Sequence, residues 1–407
     1  MNFKAVPSNI TKAGLYLFAF SLPVSHVPAQ FGIGVAFLGW MGEGIVQNRW
    51  QLRWHPFFIP LTFYLTWNLF SAALSARPAH SLGAVLDNEW PLVMMLMMFW
   101  TIRNAMLLKR LVSALLIASF VAMVYAIWQT FGGLELYRHL QLDPMGSGYF
   151  RAVGFYGFYL TFAAFAMTIF FLSAALAVEV KSGRRWPYVI TALVSFLAVV
   201  GTFARSIWLS FGTAIPLYAF TRGRKTGIAV SIALVVIVVA GFLTVPALRY
   251  RVESITDLGQ NETRLNLWRT AFAISNDHPI LGIGEDNWDH FFERYRVDGY
   301  YDTVVHPHND YFSVLVSSGY PGLLAFVGMW CVALVAGYKV SRTTKDDARR
   351  AIALGSTFSL LGFLVGSFFQ NYYGTFVNCL GWWLVVGLIL TAQSLEDNGD
   401  GAKKEGS

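Results

Sequence analysis

The sequence predicts an all-α polytopic membrane protein, with about twelve transmembrane helices and one large helical loop between the ninth and the tenth. Three observations lead there. Of 407 residues, 56% are hydrophobic and only 13% are charged, where a soluble domain carries about 25% charge. The apolar residues fall in runs of the length a bilayer demands, roughly 20 residues. The lysines and arginines lie in the short connections with a one-sided bias, as topology requires.

The runs occupy 13–28, 31–47, 56–75, 82–102, 110–131, 152–178, 186–203, 205–221 and 227–246, then 312–338, 351–369 and 375–393. Pro and Gly interrupt several, which helix bundles tolerate because neighbours re-satisfy the backbone. The first run follows Lys4 and Lys12 as a signal peptide's would, but no A-x-A-like site follows, and it reads as a retained span. Residues 1–246 thus hold nine helices, 247–311 the loop, 312–393 three helices, and 394–407 a polar tail of disordered composition.

With the N-terminus inside, all nine lysines fall on the cytoplasmic side, and the opposite short loops hold only Arg77, Arg138, Arg151 and Arg205. Both termini are then cytoplasmic. The net charge of +7 reads as a topology signal, not a nucleic-acid footprint. Cys331 and Cys379 lie inside apolar runs and imply no disulfide framework. No internal repeat favours the inverted halves of many transporters.

The loop itself has structure in it. NETRLNLWRTAFAIS (261–275) places Leu265, Trp268, Phe272 and Ile274 near helical spacing, with Asn261 or Thr263 as caps. HPILGIG (278–284) ends that helix, and DNWDHFFERYRV (286–297) reads as a second, amphipathic one. Its six cations, Arg249, Arg251, Arg264, Arg269, Arg294 and Arg296, are all arginine, so the outer face has ten Arg and no Lys. Topology explains few cations there but not the complete preference for Arg. The guanidinium fork suits phosphate oxygens and keeps its charge; ordinary pairing with the ten acidic residues of the segment is the alternative.

Arg205 follows Gly-Thr-Phe-Ala in so short a turn that its charge sits at or below the membrane surface and needs a partner or a route to the headgroups. Arg151 opens the sixth run in FRAVGFYGF, and Arg264 shares a helix face with Trp268. His306 and His308 flank Pro307, followed by Asn309 and Asp310. A His-x-His pair can ligate a metal, though no third or fourth clustered ligand accompanies it. Two ordinary interfacial histidines are a second reading. A general base is the third, since a neutral imidazole accepts a hydroxyl proton near neutral pH, and neighbouring arginines disfavour its protonation.

These pieces resemble the O-antigen ligase and polymerase family of bacterial envelope glycosyltransferases. His308-Asn309, nine residues, Gly319, two residues and Gly322 fits the family's outer-loop motif, and Arg264 through Trp268 to HPILGIG matches the segment before it. GTFARS resembles the family's Ser-Arg turn with Ala204 before the arginine, and FRAVGF resembles the opening of a middle span without the usual Asn-Pro. The resemblance implies a GT-C-like helical fold in the bacterial inner membrane with its active site facing the periplasm. It implies transfer of a glycan from undecaprenyl diphosphate to the lipid A–core, with inversion and without metal or other cofactor. Arg205 and Arg264, with Arg151, would hold the diphosphate, and His308 would deprotonate the acceptor hydroxyl. His306 would orient the loop, Asn309 or Asp310 would fix the His308 tautomer, Trp268 would support the site, and Tyr372 or Tyr373 would touch the acceptor. The implied partners are the carrier-linked glycan, the lipid A–core and membrane lipids, with no nucleic acid. A polymerase or a protein O-oligosaccharyltransferase keeps the fold and changes the acceptor; an organic-anion transporter is the reading from another class.

Overall fold

Each of the twelve apolar runs becomes a helix, and the fourth becomes two. The computed structural model describes residues 6–181, 185–256, 258–304 and 306–404. The first helices are α1 (Val6–Ser21) and α2 (His26–Gln47). They meet backbone to backbone, since a Cβ on Gly14 would stand 2.6 Å from the Gly32 carbonyl oxygen, the small-residue packing that bilayers favour. Next come α3 (Phe58–Ala73), α4 (Pro78–Glu89) and α5 (Leu92–Thr101). The last two were one run in the sequence; they bend by 41°, where Pro91 supplies no backbone donor.

Asn104 caps α6 (Ala105–Gly132) by accepting from the Leu107 amide at 2.8 Å. After it come two short hairpins the sequence reading did not anticipate, β1 (Leu134–Glu135) with β2 (Leu140–Gln141) and β3 (Pro144–Gly146) with β4 (Tyr149–Phe150). α7 (Tyr159–Glu179) therefore starts seven residues later than the run at 152–178 suggests. Residues 152–158 are a turn with positive φ at Gly154 and Gly157. The buried Gln129 amide holds it, donating to the Gly154 carbonyl and accepting from the amides of Val153 and Gly154.

The chain continues through α8 (Trp186–Gly201), α9 (Arg205–Phe220), α10 (Arg224–Thr244), α11 (Pro246–Thr256), α12 (Leu258–Asp277) and α13 (Trp288–Tyr295). It closes with α14 (Asp310–Thr343), α15 (Asp347–Gly366) and α16 (Phe376–Lys404). Both predicted loop helices are present, as α12 and α13, and α11 is an addition. By length and composition seven helices can cross a membrane, or eight with the bent pair counted as one. Four of the twelve runs, α1, α3, α8 and α9, form helices of 16 residues. At 1.5 Å per residue these reach about 24 Å, short of the roughly 30 Å hydrocarbon core. Exposed apolar surface confirms the solvent: α10 carries Val235, Val236, Ile237, Val238 and Val239 on its outside, a patch that only lipid tolerates.

Aromatic rings fill the centre, with Trp330, Trp382, Trp383 and Phe363 fully buried around Tyr373. At one end Glu179 pairs with Arg222 and, at 3.6 Å, with Arg350. The opposite end gathers α11–α13 and the functional side chains. There α14 breaks at Gly319, which has φ 68°. A Cβ at that position would come within 2.6 Å of the Pro279 carbonyl oxygen, whose partner is the Tyr320 amide. The Gly-Tyr-Pro-Gly stretch is thus a hinge that lets the 278–284 segment lie on α14. The amides of Ile283 and Gly284 donate to the carbonyls of Val316 and Ser317 there. We expect Gly319→Ala to destabilise the protein by about 2–4 kcal/mol, from left-handed strain and overpacking together, read as a lower melting temperature in detergent.

Candidate active site

Two turns and two loop helices present the cations. Between α8 and α9, Phe203 takes a positive φ of 54° and turns its carbonyl toward Arg251, whose Nε and Nη2 donate to it at 3.3 and 3.1 Å. Arg205, the first residue of α9, directs Nη1 to the carbonyl and hydroxyl of Ser254, and Nη2 to Asn261 Oδ1 at 3.5 Å. Ser254 and Asn261 sit on α11 and α12, so the guanidinium ties the loop helices to the bundle. Arg151 stacks over Tyr159 at 4.2 Å and reaches the exposed Asp143 carboxylate at 3.4 Å. Arg264 projects from α12, and no hydrogen bond or ion pair from the described residues engages its guanidinium.

Electrostatics link these groups. Arg205 lies within Coulombic range of Arg264 and Arg151. Burial, then the charges of Arg151 and Arg205, push the Arg251 pKa down to about 10. Burial likewise holds Arg264 below its ordinary value, against the pull of Tyr159, Tyr372 and Asp302. Elsewhere the outer arginines pair with carboxylates, Arg77 with Asp289, Arg296 with Glu293 and Arg138 with Glu135. No carboxylate among the described residues pairs with Arg205, Arg251 or Arg264. Concentrated cationic charge with neutral partners attracts anions.

His308 stands beside this cluster in a left-handed conformation, φ 52°. Its position is determined from three sides. The Trp268 indole donates to the Pro307 carbonyl at 3.0 Å, the His308 amide donates to His306 Nδ1 at 3.1 Å, and His308 Nδ1 lies 3.0 Å from Gln370 Oε1. An amide oxygen only accepts, so Nδ1 carries the proton and Nε2 keeps a free lone pair. Burial, then the Arg264 charge, depresses the His308 pKa below its ordinary value; the Gln370 hydrogen bond and Asp302 oppose this. His306, its ring 4.3 Å away centroid to centroid, is pushed down to about 4 by burial and by His308. Both rings are therefore neutral at neutral pH.

The sequence assigned the tautomer to Asn309 or Asp310; neither touches the ring. Asn309 caps α14, accepting from the Phe312 amide at 3.1 Å and donating to the Phe368 carbonyl. Asp310 is buried and accepts from the amides of Tyr372, Tyr373 and Gly374 and from the Ser367 hydroxyl. It locks the 367–375 turn, which carries Gln370, against the histidine strip. Tyr372 faces the cluster and shares a hydrogen bond with Ser206 at 2.7 Å. Tyr373 points elsewhere, donating to Glu89 at 2.6 Å. Among the described residues no group of three His, Cys, Asp or Glu has the arrangement of a metal site.

The structure thus brings Arg205, Arg264, Arg151 and His308 together and leaves Trp268 as an anchor of the strip. It adds Arg251, Tyr159 and Gln370, which the sequence reading did not single out for the site. A signal existed for one of them: Gln370 opens a polar quartet, Gln-Asn-Tyr-Tyr, inside an apolar region. We expect Gln370→Leu to lower kcat about 10-fold, the rate equivalent of one hydrogen bond. It should also move the acidic limb of the pH–rate profile to lower pH, because the bond it removes raises the His308 pKa. A merely structural role would leave that limb in place.

Comparison with curated proteins gave no match. Residues 190–327, the stretch that holds Arg205, Arg251, Arg264 and His308, match the family model described as O-antigen ligase, Wzy_C.

Proposed function

We propose that the protein is an O-antigen ligase that transfers a glycan from undecaprenyl diphosphate to the lipid A–core at the periplasmic face of the inner membrane. One observation carries the reading: Arg205, Arg251 and Arg264, none of them paired with a carboxylate among the described residues, act on one another or on Arg151 by charge, and Arg264 lies within Coulombic range of His308, whose Nδ1 meets Gln370 Oε1. Arg205, Arg264 and Arg251, with Arg151 at the edge, bind the diphosphate. His308 Nε2 takes the proton of the acceptor hydroxyl as its oxygen attacks the anomeric carbon. The anomeric carbon–oxygen bond to phosphate breaks, its electrons pass to the diphosphate, and the arginines stabilise that charge where it develops. A single displacement inverts the anomeric carbon. Gln370 holds the ring in its reactive tautomer, and the imidazolium returns its proton to solvent after release.

Fixed guanidiniums supply the charge that a divalent ion provides in many diphosphate-using enzymes. We expect EDTA to leave the transfer rate within about 2-fold of the untreated rate, a difference worth less than about 0.5 kcal/mol. Inhibition reversed by Mg²⁺ or Mn²⁺ would return the histidine pair to the metal reading. The acceptor is tested by incubating purified protein with lipid-linked glycan and lipid A–core and resolving the products on a gel. Ladder bands on lipid A–core support the ligase; extension only on carrier lipid, or only on an exported protein, would replace it with a polymerase or a protein O-oligosaccharyltransferase. Transport is the poorer reading, because Arg205 heads its helix and Arg251 and Arg264 lie on α11 and α12, outside the apolar spans, and not at a midplane.

A further inference from the structure

Against His306 and Pro307 lies a cavity of about 420 Å³, within the ~300–1,000 Å³ of ordinary ligand sites. α3 lends it Asn68, α4 lends Asp87 and Glu89, the 283–288 turn lends Glu285, and α14 and the 371–374 turn complete it. No arginine or lysine among the described residues lines it. Its chemistry is the reverse of the diphosphate site.

Three oxygens on its walls have no hydrogen-bond partner among the described residues: Asn68 Oδ1, Ser313 Oγ and Asn371 Oδ1. Asn68 is only 5% exposed. A buried polar atom left without a partner requires an explanation, and relaxation of α3 is not available as one. Ser71 donates to the Leu281 and Ser317 carbonyls at 2.5 and 2.8 Å, and Trp67 donates to the Ser318 carbonyl at 2.8 Å. These three bonds fix the stretch of α3 that carries Asn68. The carboxylates are also held in place. Glu89 accepts from Tyr373, and Glu285 accepts from Asn88 at 3.0 Å while its own carbonyl accepts from Ser81.

Rigid amide and carboxylate oxygens facing an enclosed space want hydroxyl donors. A phosphorylated or carboxylated group would meet the exposed carboxylates of Asp87 and Asp286 and be repelled. We propose that this cavity binds an uncharged, hydroxyl-bearing sugar at the acceptor terminus, with Asn68 and Glu285 as its main hydrogen-bond acceptors. The inference rests on the ligase reading above and extends it to the acceptor. His306, Pro307 and Asp310 lie on its wall, so a sugar held here lies beside the segment that carries His308.

The test uses the full chain in nanodiscs and a dephosphorylated, lipid-free core oligosaccharide as probe, followed by saturation-transfer NMR. Glucose 6-phosphate is the anionic control, and undecaprenyl diphosphate binding is measured on the same samples. We expect the core oligosaccharide to receive saturation, glucose 6-phosphate to receive none, and Asn68→Leu to abolish the signal while undecaprenyl diphosphate binds as before. In turnover, Asn68→Leu should raise the acceptor KM about 10-fold and leave the donor KM unchanged. Should Asn68→Leu fail to fold, Ser313→Leu fills the cavity from a different wall and carries the same expectation. An unchanged signal in a folded variant, equal saturation of glucose 6-phosphate, or displacement of the probe by carrier-linked glycan instead of lipid A–core would each overturn the assignment. Loss of the diphosphate reading looks different: undecaprenyl diphosphate binding would survive Arg264→Ala while the sugar signal stood.

Discussion

Arg264→Ala is expected to lower the transfer rate by about 10³-fold, comparable to removing a guanidinium that stabilises a departing phosphate group elsewhere. The size follows from its surroundings. Arg264 is half-buried, has no carboxylate partner among the described residues, and lies near His308, Tyr159 and Tyr372. Among the described residues no hydrogen bond or ion pair engages its guanidinium, so its charge is available to an anionic substrate. For the same reason the substitution should cost little stability, and the variant may be checked by its melting temperature. Arg264→Lys should recover only part of the loss, since an ammonium keeps the charge but loses the planar fork. Single-turnover transfer in detergent with carrier-linked glycan measures both. The pH profile offers an internal control. The Arg264 charge helps depress the His308 pKa, so its removal should shift the acidic limb to higher pH.

His308→Ala should reduce kcat by about 10²–10⁴-fold, the range for a positioned general base, with little change in donor affinity. The ring bonds Gln370 and, among the described residues, makes no hydrogen bond to Arg205, Arg251 or Arg264, so binding and chemistry separate at this residue. The sign of the pH dependence follows from the depressed pKa. The base works in its neutral form, which persists below the ordinary value of 6.5, so activity should be flat near neutral pH and fall only below about pH 6.5. An acidic limb centred above that value would require a protonated imidazole in the resting site.

Much of this arrangement was legible in the sequence, and the gaps have physical causes. Long apolar runs report helices directly, and the motif from His308 to Gly322 pointed to the outer-loop segment, whereas the hinge at Gly319 came only from the fold. Run length did not reveal where a helix stops. Phe203 with its positive φ shortens α8 and α9, and the Gln129 side chain holds 152–158 in a turn by bonds to residues more than twenty positions away. The role of Arg251 was hidden for a related reason. Ten outer arginines look alike in sequence, and only the fold shows that Arg77, Arg138 and Arg296 meet carboxylates while Arg251 meets a carbonyl. The tautomer of His308 went to its sequence neighbours because proximity in the chain was the sole guide. Gln370 reaches it across 62 positions, a pairing set by the buried Asp310 and its bonds to the 367–375 turn.

The most direct test measures undecaprenyl diphosphate binding and single-turnover transfer side by side, on the unmodified protein, Arg264→Ala and His308→Ala in the same nanodiscs. His308→Ala should bind the carrier as the unmodified protein does and transfer at least about 10²-fold more slowly, whereas Arg264→Ala should lose both. Near-normal transfer by His308→Ala, or carrier binding and transfer both untouched in Arg264→Ala, would contradict a guanidinium clamp working beside a neutral imidazole base.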